Sequence, residues 1–187
     1  MAHKFNPDHI AKLLKPERAK ETEPVGLLGS IGLGAGSTLV DIGCGPGFFT
    51  LPASVIVGAE GRVYALDTEP KMLDAIKEQN PPDNVTLLTS TEHELPIEDK
   101  SCTHALLAYM FHEVEAPLEF LFEVRRVLDK WGHVAIVDWD VVEEERGPPL
   151  RERIEPMQVA ALLFEAGFTD PEITKLNASH YMVTAAK

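Results

Sequence analysis

The sequence predicts an α/β fold: a doubly wound, mostly parallel sheet of about seven strands, with one antiparallel strand near the C-terminus. Three observations carry this. Leu39-Val40-Asp41-Ile42 is a short apolar run, interrupted by one carboxylate, that passes into Gly43-Cys44-Gly45-Pro46-Gly47 and then into a helix-compatible apolar stretch. That order reads as buried strand, tight glycine turn, helix. Further short apolar runs recur between helical patterns along the chain, as in parallel sheets. Finally, the last two strand-like runs, Glu172 to Lys175 and His180 to Ala186, are joined by a return short enough to imply an antiparallel pair.

The 187 residues fall within the range of one domain. They divide into a helical N-terminal cap, 1–34, and a sheet core, 35–187. A net charge of −13 argues against nucleic-acid phosphates as the main partner. No apolar run approaches the length of a membrane span, and Met1-Ala2-His3-Lys4-Phe5 carries no secretory apolar region. The two cysteines, Cys44 and Cys102, lack a C-x-x-C partner, so neither a zinc site nor a disulfide framework is expected. A reducing cytoplasm fits.

In order, Asn6-Pro7-Asp8 can start a helix, with Ile10, Leu13 and Leu14 at helical spacing until Pro16 interrupts it. Val25, Leu27, Leu28 and Ile31 form a second short apolar set. These pieces either pack on the sheet edge or close over a ligand as a lid. Pro52 predicts a kink or a late start for the helix after the glycine turn. Val63 to Leu66, ending in Asp67, is strand two. Pro70 opens a helix whose Met72, Leu73 and Ile76 face inward. Val85 to Leu88 is strand three, and Ala105 to Ala108 is strand four. Leu118, Leu121, Phe122, Val124 and Leu128 make an amphipathic helix, with Gly132 as its C-cap glycine. Val134 to Asp138 is strand five. The stretch 139–153 is the least regular. Pro156 then starts a helix carrying Val159, Leu162, Leu163 and Ala166, capped by Gly167.

The chemistry gathers at the glycine turn. Glycine there lets backbone approach a bound molecule closely. Asp67, about twenty positions on, stands where a ribose hydroxyl pair is held. The spacing Gly-x-Gly-x-Gly differs from the nicotinamide fingerprint. Asp41 would repel a pyrophosphate but suits a cationic ammonium or sulfonium.

With these residues in place, Val40-Asp41-Ile42-Gly43-Cys44-Gly45-Pro46-Gly47 closely resembles the first motif of class I S-adenosylmethionine-dependent methyltransferases, in the group that includes ubiquinone and menaquinone biosynthesis enzymes. The likeness extends over nearly the whole chain. It implies a Rossmann-like fold, S-adenosylmethionine as methyl donor and S-adenosylhomocysteine as product. It further implies a cofactor-binding set of Asp41, Gly43, Cys44, Gly45, Gly47, Asp67, Thr68, Met72, Thr91, Glu92 and Tyr109. Asp41 would hold the ammonium and Asp67 the ribose. Where such proteins carry an aspartate for the adenine amine, this chain has Thr91 followed by Glu92, so either can supply that contact. Cys44 reads as a small space-filling residue rather than a nucleophile.

His112, beside Glu113 and just past strand four, is the candidate catalytic base, because a histidine titrates near neutrality. It can equally cap a local helix. No metal is implied. The acceptor is expected to be a small molecule. The atom methylated and the oligomeric state stay open. A binding module without turnover and a nicotinamide-dependent oxidoreductase are the alternatives.

Overall fold

The computed structural model describes residues 10–14, 16–91 and 93–187. The expected helix start at Asn6-Pro7-Asp8, the His3-Lys4-Phe5 segment and Glu92 lie outside the described residues.

Among the described residues the first elements are three short helices: α1 (Ile10–Leu13), α2 (Pro16–Thr22) and α3 (Pro24–Ser30). The core follows as β1 (Thr38–Ile42), α4 (Thr50–Val57), β2 (Arg62–Asp67), α5 (Pro70–Lys77), β3 (Val85–Thr89), β4 (Cys102–Ala108), α6 (Pro117–Val127), β5 (Leu128–Trp139), α7 (Pro156–Glu165), β6 (Thr169–Lys175) and β7 (His180–Ala186). Single 3₁₀ turns lie at Phe111–Glu113 and Leu150–Glu152. The strands form one seven-stranded sheet in the order β3-β2-β1-β4-β5-β7-β6. Only β7 runs against its neighbours, which is the predicted architecture.

Alternation along each strand sends side chains to two apolar layers. Val40, Ile42, Leu107 and Ile136 pack on α6 and α7 through Leu121, Val124, Val159 and Leu163. Leu39, Val63, Leu106 and Val137 pack on α3 and α4 through Leu28, Ala53 and Val57. Leu73 and Ile76 of α5 cover Ala65. Strand order reverses direction at β1, between β2 and β4, and a crevice opens at the C-terminal ends of strands about such a point.

Four local expectations are settled by packing. Helix α4 starts late, at Thr50, which puts Pro52 in its first turn where a missing N–H costs nothing. Gly132 is not a C-cap. The chain leaves α6 directly in extended conformation at Leu128, and Gly132 lies inside β5. It sits in an irregular stretch where Leu128 pairs with Cys102 but the next register pair is His104 with His133. A Cβ on Gly132 would lie 2.9 Å from the Leu128 side chain, so the bulge needs a glycine. Phe122 faces solvent, and Phe120 takes the buried position on α6. Val25 is likewise exposed, while Leu27 and Leu28 are buried.

Candidate active site at the glycine turn

All three glycines of the turn have positive φ: Gly43 at 67°, Gly45 at 53° and Gly47 at 89°. Residues with a Cβ pay for that region, so the alternation of glycines is a backbone requirement. At Gly43 there is also no room. A Cβ would come within 2.8 Å of Met110 Cγ, from the segment after β4. The turn is tied down from two sides. Cys44 N–H donates to the Leu66 carbonyl at 2.9 Å. Gly45 N–H donates to Asp67 Oδ2 at 2.9 Å, and Glu69 N–H donates to Asp67 Oδ1 at 2.9 Å. The Asp67 carboxylate therefore fixes the turn while sitting at the tip of β2. Burial raises its pKa against those backbone donors.

Asp41 lies beneath the turn, 1% exposed. Thr50 Oγ1 donates to its Oδ2 at 2.6 Å, and the Thr50 backbone also bonds it at the N-terminus of α4. Burial is the larger influence and pushes its pKa up to about 7. Thr50 and the charge of Arg18 oppose this, while Asp67 adds to it. A carboxylate held this far from water with one partner residue is poised for a cation.

The ends of β4 and β5 form the other wall. Tyr109 has φ 60° and donates its N–H to the Val137 carbonyl at 2.7 Å. Its ring packs with Trp139 and His180, whose own centroids are 4.3 Å apart. His112 Nδ1 lies 2.7 Å from Asp138 Oδ1, and His112 N–H donates to Asp138 Oδ2 at 3.1 Å. Both side chains are buried, at 6% and 2% exposure. Burial pulls the His112 pKa down. The Asp138 hydrogen bond and charge, with Glu113 and Glu152, outweigh it, so the net shift is upward. With Nδ1–H given to Asp138, the neutral ring carries its lone pair on Nε2, which lies 3.8 Å from Glu113 Oε1.

Helices α1 and α2 lie across this region. Leu13 reaches the open side of Gly45. The Arg18 guanidinium rests 4.2 Å from the Phe48 ring centroid and 5.2 Å from that of Tyr109. Thr22 hydrogen-bonds the Tyr109 phenol, and Glu21 pairs with Arg146 at 2.9 Å.

Of the sequence-predicted residues, Asp41, Gly43, Gly45, Gly47, Asp67, Tyr109 and His112 come together around the turn. Cys44 is buried under it, with a thiol whose pKa burial drives well up, as suits a space-filling role. Met72 is buried and Thr68 exposed at the start of α5. The Thr91 hydroxyl accepts from the His93 and Glu94 amides, closing its own loop. His180 joins the aromatic wall, whereas Tyr181 points away, donating to the Ile154 carbonyl. Sequence reading missed three residues. Asp138 was visible only as an acid ending strand five, Thr50 as a hydroxyl opening a helix, and Arg18 not at all. Among the described residues no cluster of His, Cys, Asp and Glu could hold a metal, and no helix is long and apolar enough to cross a membrane.

Known proteins share this fold. A family model described as a methyltransferase domain, of type 11, matches residues 40–136, just over half of the chain. A demethylmenaquinone methyltransferase of Staphylococcus aureus is 32% identical over 109 residues, covering 58% of this chain and 45% of that protein. The chain thus spans about half the length of the curated relatives it matches. A SAM-dependent methyltransferase from Aquifex aeolicus superposes with a TM-score of 0.92 at 33% identity, covering 98% of this chain and 99% of that one. A type 11 methyltransferase from Sulfolobus solfataricus gives 0.69 at 25% identity over 85% and 88% of the two chains. The motif, the strand order and these likenesses converge: the chain belongs to the type 11 methyltransferase-domain family, within the class I S-adenosylmethionine-dependent methyltransferases.

Proposed function

We propose that this chain transfers a methyl group from S-adenosylmethionine to a small-molecule acceptor that gives up a proton, with His112 as the base. The residues fit such a donor on three counts. The turn leaves Gly45 without a side chain where a ligand must approach, and Gly43 lets Met110 close against the backbone. Asp67 presents a carboxylate at the tip of β2, where the Gly45, Glu69 and Thr68 amides bond it and lone pairs are left for a hydroxyl. Asp41 is a carboxylate shut away from water beneath the turn and bonded by Thr50, where the charge of a bound cation is strongly felt.

The observation that carries the reading is this joining of two acids through one glycine turn. Bound there, S-adenosylmethionine supplies a methyl already activated on a sulfonium, ready for in-line displacement. The chain then has to orient, exclude water and accept a proton. Orientation of this kind is worth up to ~7–11 kcal/mol. Tyr109, Trp139 and Met110 wall the crevice with apolar surface. His112 Nε2 takes the proton that the acceptor loses, and Asp138 holds the ring and stabilises the imidazolium.

The Staphylococcus aureus relative is named for demethylmenaquinone. A ring acceptor with an ionisable hydroxyl matches a histidine base. The acidic chain and its two buried free thiols support a small-molecule enzyme working in the cytoplasm. We take residues 1–187 as one domain, with α1 and α2 serving as a lid.

Calorimetric titration with S-adenosylhomocysteine, followed by release of that product in the presence of ring-hydroxyl acceptors, tests the proposal. Binding that is lost in Asp67→Ala, together with acceptor-dependent product, is the expected result. A wild-type chain that ignores S-adenosylhomocysteine would overturn it.

A further inference from the structure

We propose that Arg18 holds the α-carboxylate of the methionine moiety, so that Arg18 and Asp41 together read the zwitterionic end of the cofactor. The inference rests on the reading that this cofactor sits at the glycine turn.

Arg18 is the cation that leans into the site from α2. The faces of Phe48 and Tyr109 lie against its guanidinium, at 4.2 and 5.2 Å. Ring faces occupy the plane of the group and leave its N–H donors pointing outward along the edges. Among the described residues, one of those donors is used: Nη1 bonds the Leu13 carbonyl at 3.0 Å. No carboxylate among the described residues lies within ion-pair distance of it. Asp41 is near enough for each to feel the other's charge, but Thr50 already holds the Asp41 carboxylate.

The site therefore sets a sequestered carboxylate, held by Thr50, near a ring-stacked cation that no carboxylate among the described residues contacts directly. An α-amino acid carries the two complementary charges on one carbon: its ammonium answers Asp41 and its carboxylate answers Arg18. A guanidinium is suited to this because its fork of donors matches both carboxylate oxygens. The same contact would anchor α2 over the turn, together with Thr22 on Tyr109 and Glu21 on Arg146.

The test is calorimetric, on the full chain, with three ligands: S-adenosylhomocysteine, its decarboxylated analogue, and 5′-methylthioadenosine, which lacks the amino-acid end. In the wild type, removing the carboxylate is expected to weaken binding about 10–100-fold, the range for a hydrogen-bonded charge. Arg18→Gln is expected to weaken S-adenosylhomocysteine by the same factor and to leave 5′-methylthioadenosine within about twofold, with Arg18→Lys intermediate. Equal weakening of all three ligands by Arg18→Gln would show that Arg18 only props α2, and overturns the proposal. So does a wild-type chain indifferent to the carboxylate, a comparison that needs no variant to fold. Failure of the wild type to bind any of the three would instead remove the underlying site.

Discussion

Asp67 Oδ2 accepts the Gly45 N–H at 2.9 Å, so the acid at the end of β2 is also the strut of the turn that follows β1. Two functions read separately in the sequence, a ribose acid and a glycine turn, are one mechanical unit. Removing the carboxylate leaves the Gly45 and Glu69 amides unpaired.

Asp67→Ala is therefore expected to do two things at once. Affinity for S-adenosylhomocysteine falls tenfold or more, since hydrogen bonds to a charged acceptor are worth about 1.5–3 kcal/mol each. The free protein also loses roughly 1–3 kcal/mol, a drop of several degrees in Tm. Asp67→Asn keeps one acceptor oxygen and should recover part of the stability but little of the affinity. A stable Ala variant with unchanged affinity would separate Asp67 from both roles.

Asp41 makes binding depend on pH. Its folded pKa, raised by burial to about 7, stands above the usual value of 3.8. The fold therefore binds this proton more tightly than the unfolded chain does. The contribution to stability is full below pH 3.8 and is withdrawn as pH rises to about 7. Ligand binding runs the other way, because a cation needs the ionised acid. Affinity for S-adenosylhomocysteine should rise by up to about tenfold per pH unit below 7 and level off above it, with one proton released at low pH. Calorimetry in buffers of different ionisation enthalpy reads that proton directly. Asp41→Asn should stabilise the free protein at pH 8 by about 1–3 kcal/mol while weakening binding. An Asn variant that is both less stable and equally avid contradicts this assignment.

How far the sequence alone leads depends on the range of the interaction. The glycine turn, β1 and β2 were readable because their constraints are local: positive φ at Gly43, Gly45 and Gly47, and an apolar run on either side. The mostly parallel, doubly wound class follows from the same alternation of strands and helices. Gly132 was misplaced because a glycine after a helix has two uses, and only the Leu128 side chain 2.9 Å from its would-be Cβ decides for a bulge. Phe120 and Phe122 sit two apart on α6; the helical pattern put Phe122 on the apolar face, and the fold buries Phe120 instead. Asp138 and Arg18 escaped for a related reason. One meets His112 across 26 residues, and the other meets the turn through a helix with no motif of its own. Contacts of that kind have no periodicity to read.

The His112–Asp138 pair predicts a pH profile. Asp138 raises the His112 pKa above 6.5 against the pull of burial. Stability from the pair is fully present below pH 6.5 and is lost as pH rises through the raised value. The base is active only when neutral, so kcat/KM should climb with pH through a midpoint above 6.5. Asp138→Asn is expected to shift that limb to lower pH and to slow the plateau about 10²-fold or more, since the ring loses its fixed tautomer. His112→Asn should remove the limb altogether while leaving S-adenosylhomocysteine affinity within about twofold. A flat profile in the wild type would show that the acceptor arrives already deprotonated.

The irregular segment after β5 gathers around one side chain, and that too can be tested. The Arg153 guanidinium, 1% exposed, donates through Nε to the Pro148 carbonyl and through Nη1 to the Asp140 and Val142 carbonyls and Glu144 Oε1. Its Nη2 donates to the Arg146 carbonyl at 2.6 Å. The segment thus wraps a single cation, which also stands over Trp139 at 5.2 Å. Lysine cannot fork to so many acceptors. Arg153→Lys strands several carbonyls and should cost about 2–4 kcal/mol, or roughly 5–12 °C in Tm. Because Asp41, Asp67 and the turn lie on other elements, affinity for 5′-methylthioadenosine, which lacks the end that Arg18 is proposed to hold, should stay within about twofold, while limited proteolysis should find a new cut within 140–149. Gly147 supplies the competing explanation: a Cβ there would press within 2.6 Å of the Trp139 ring, so the segment also packs tightly on β5 by shape alone. If Arg153→Lys melts with the wild type and resists protease, that packing, rather than the guanidinium, is what keeps the segment in place.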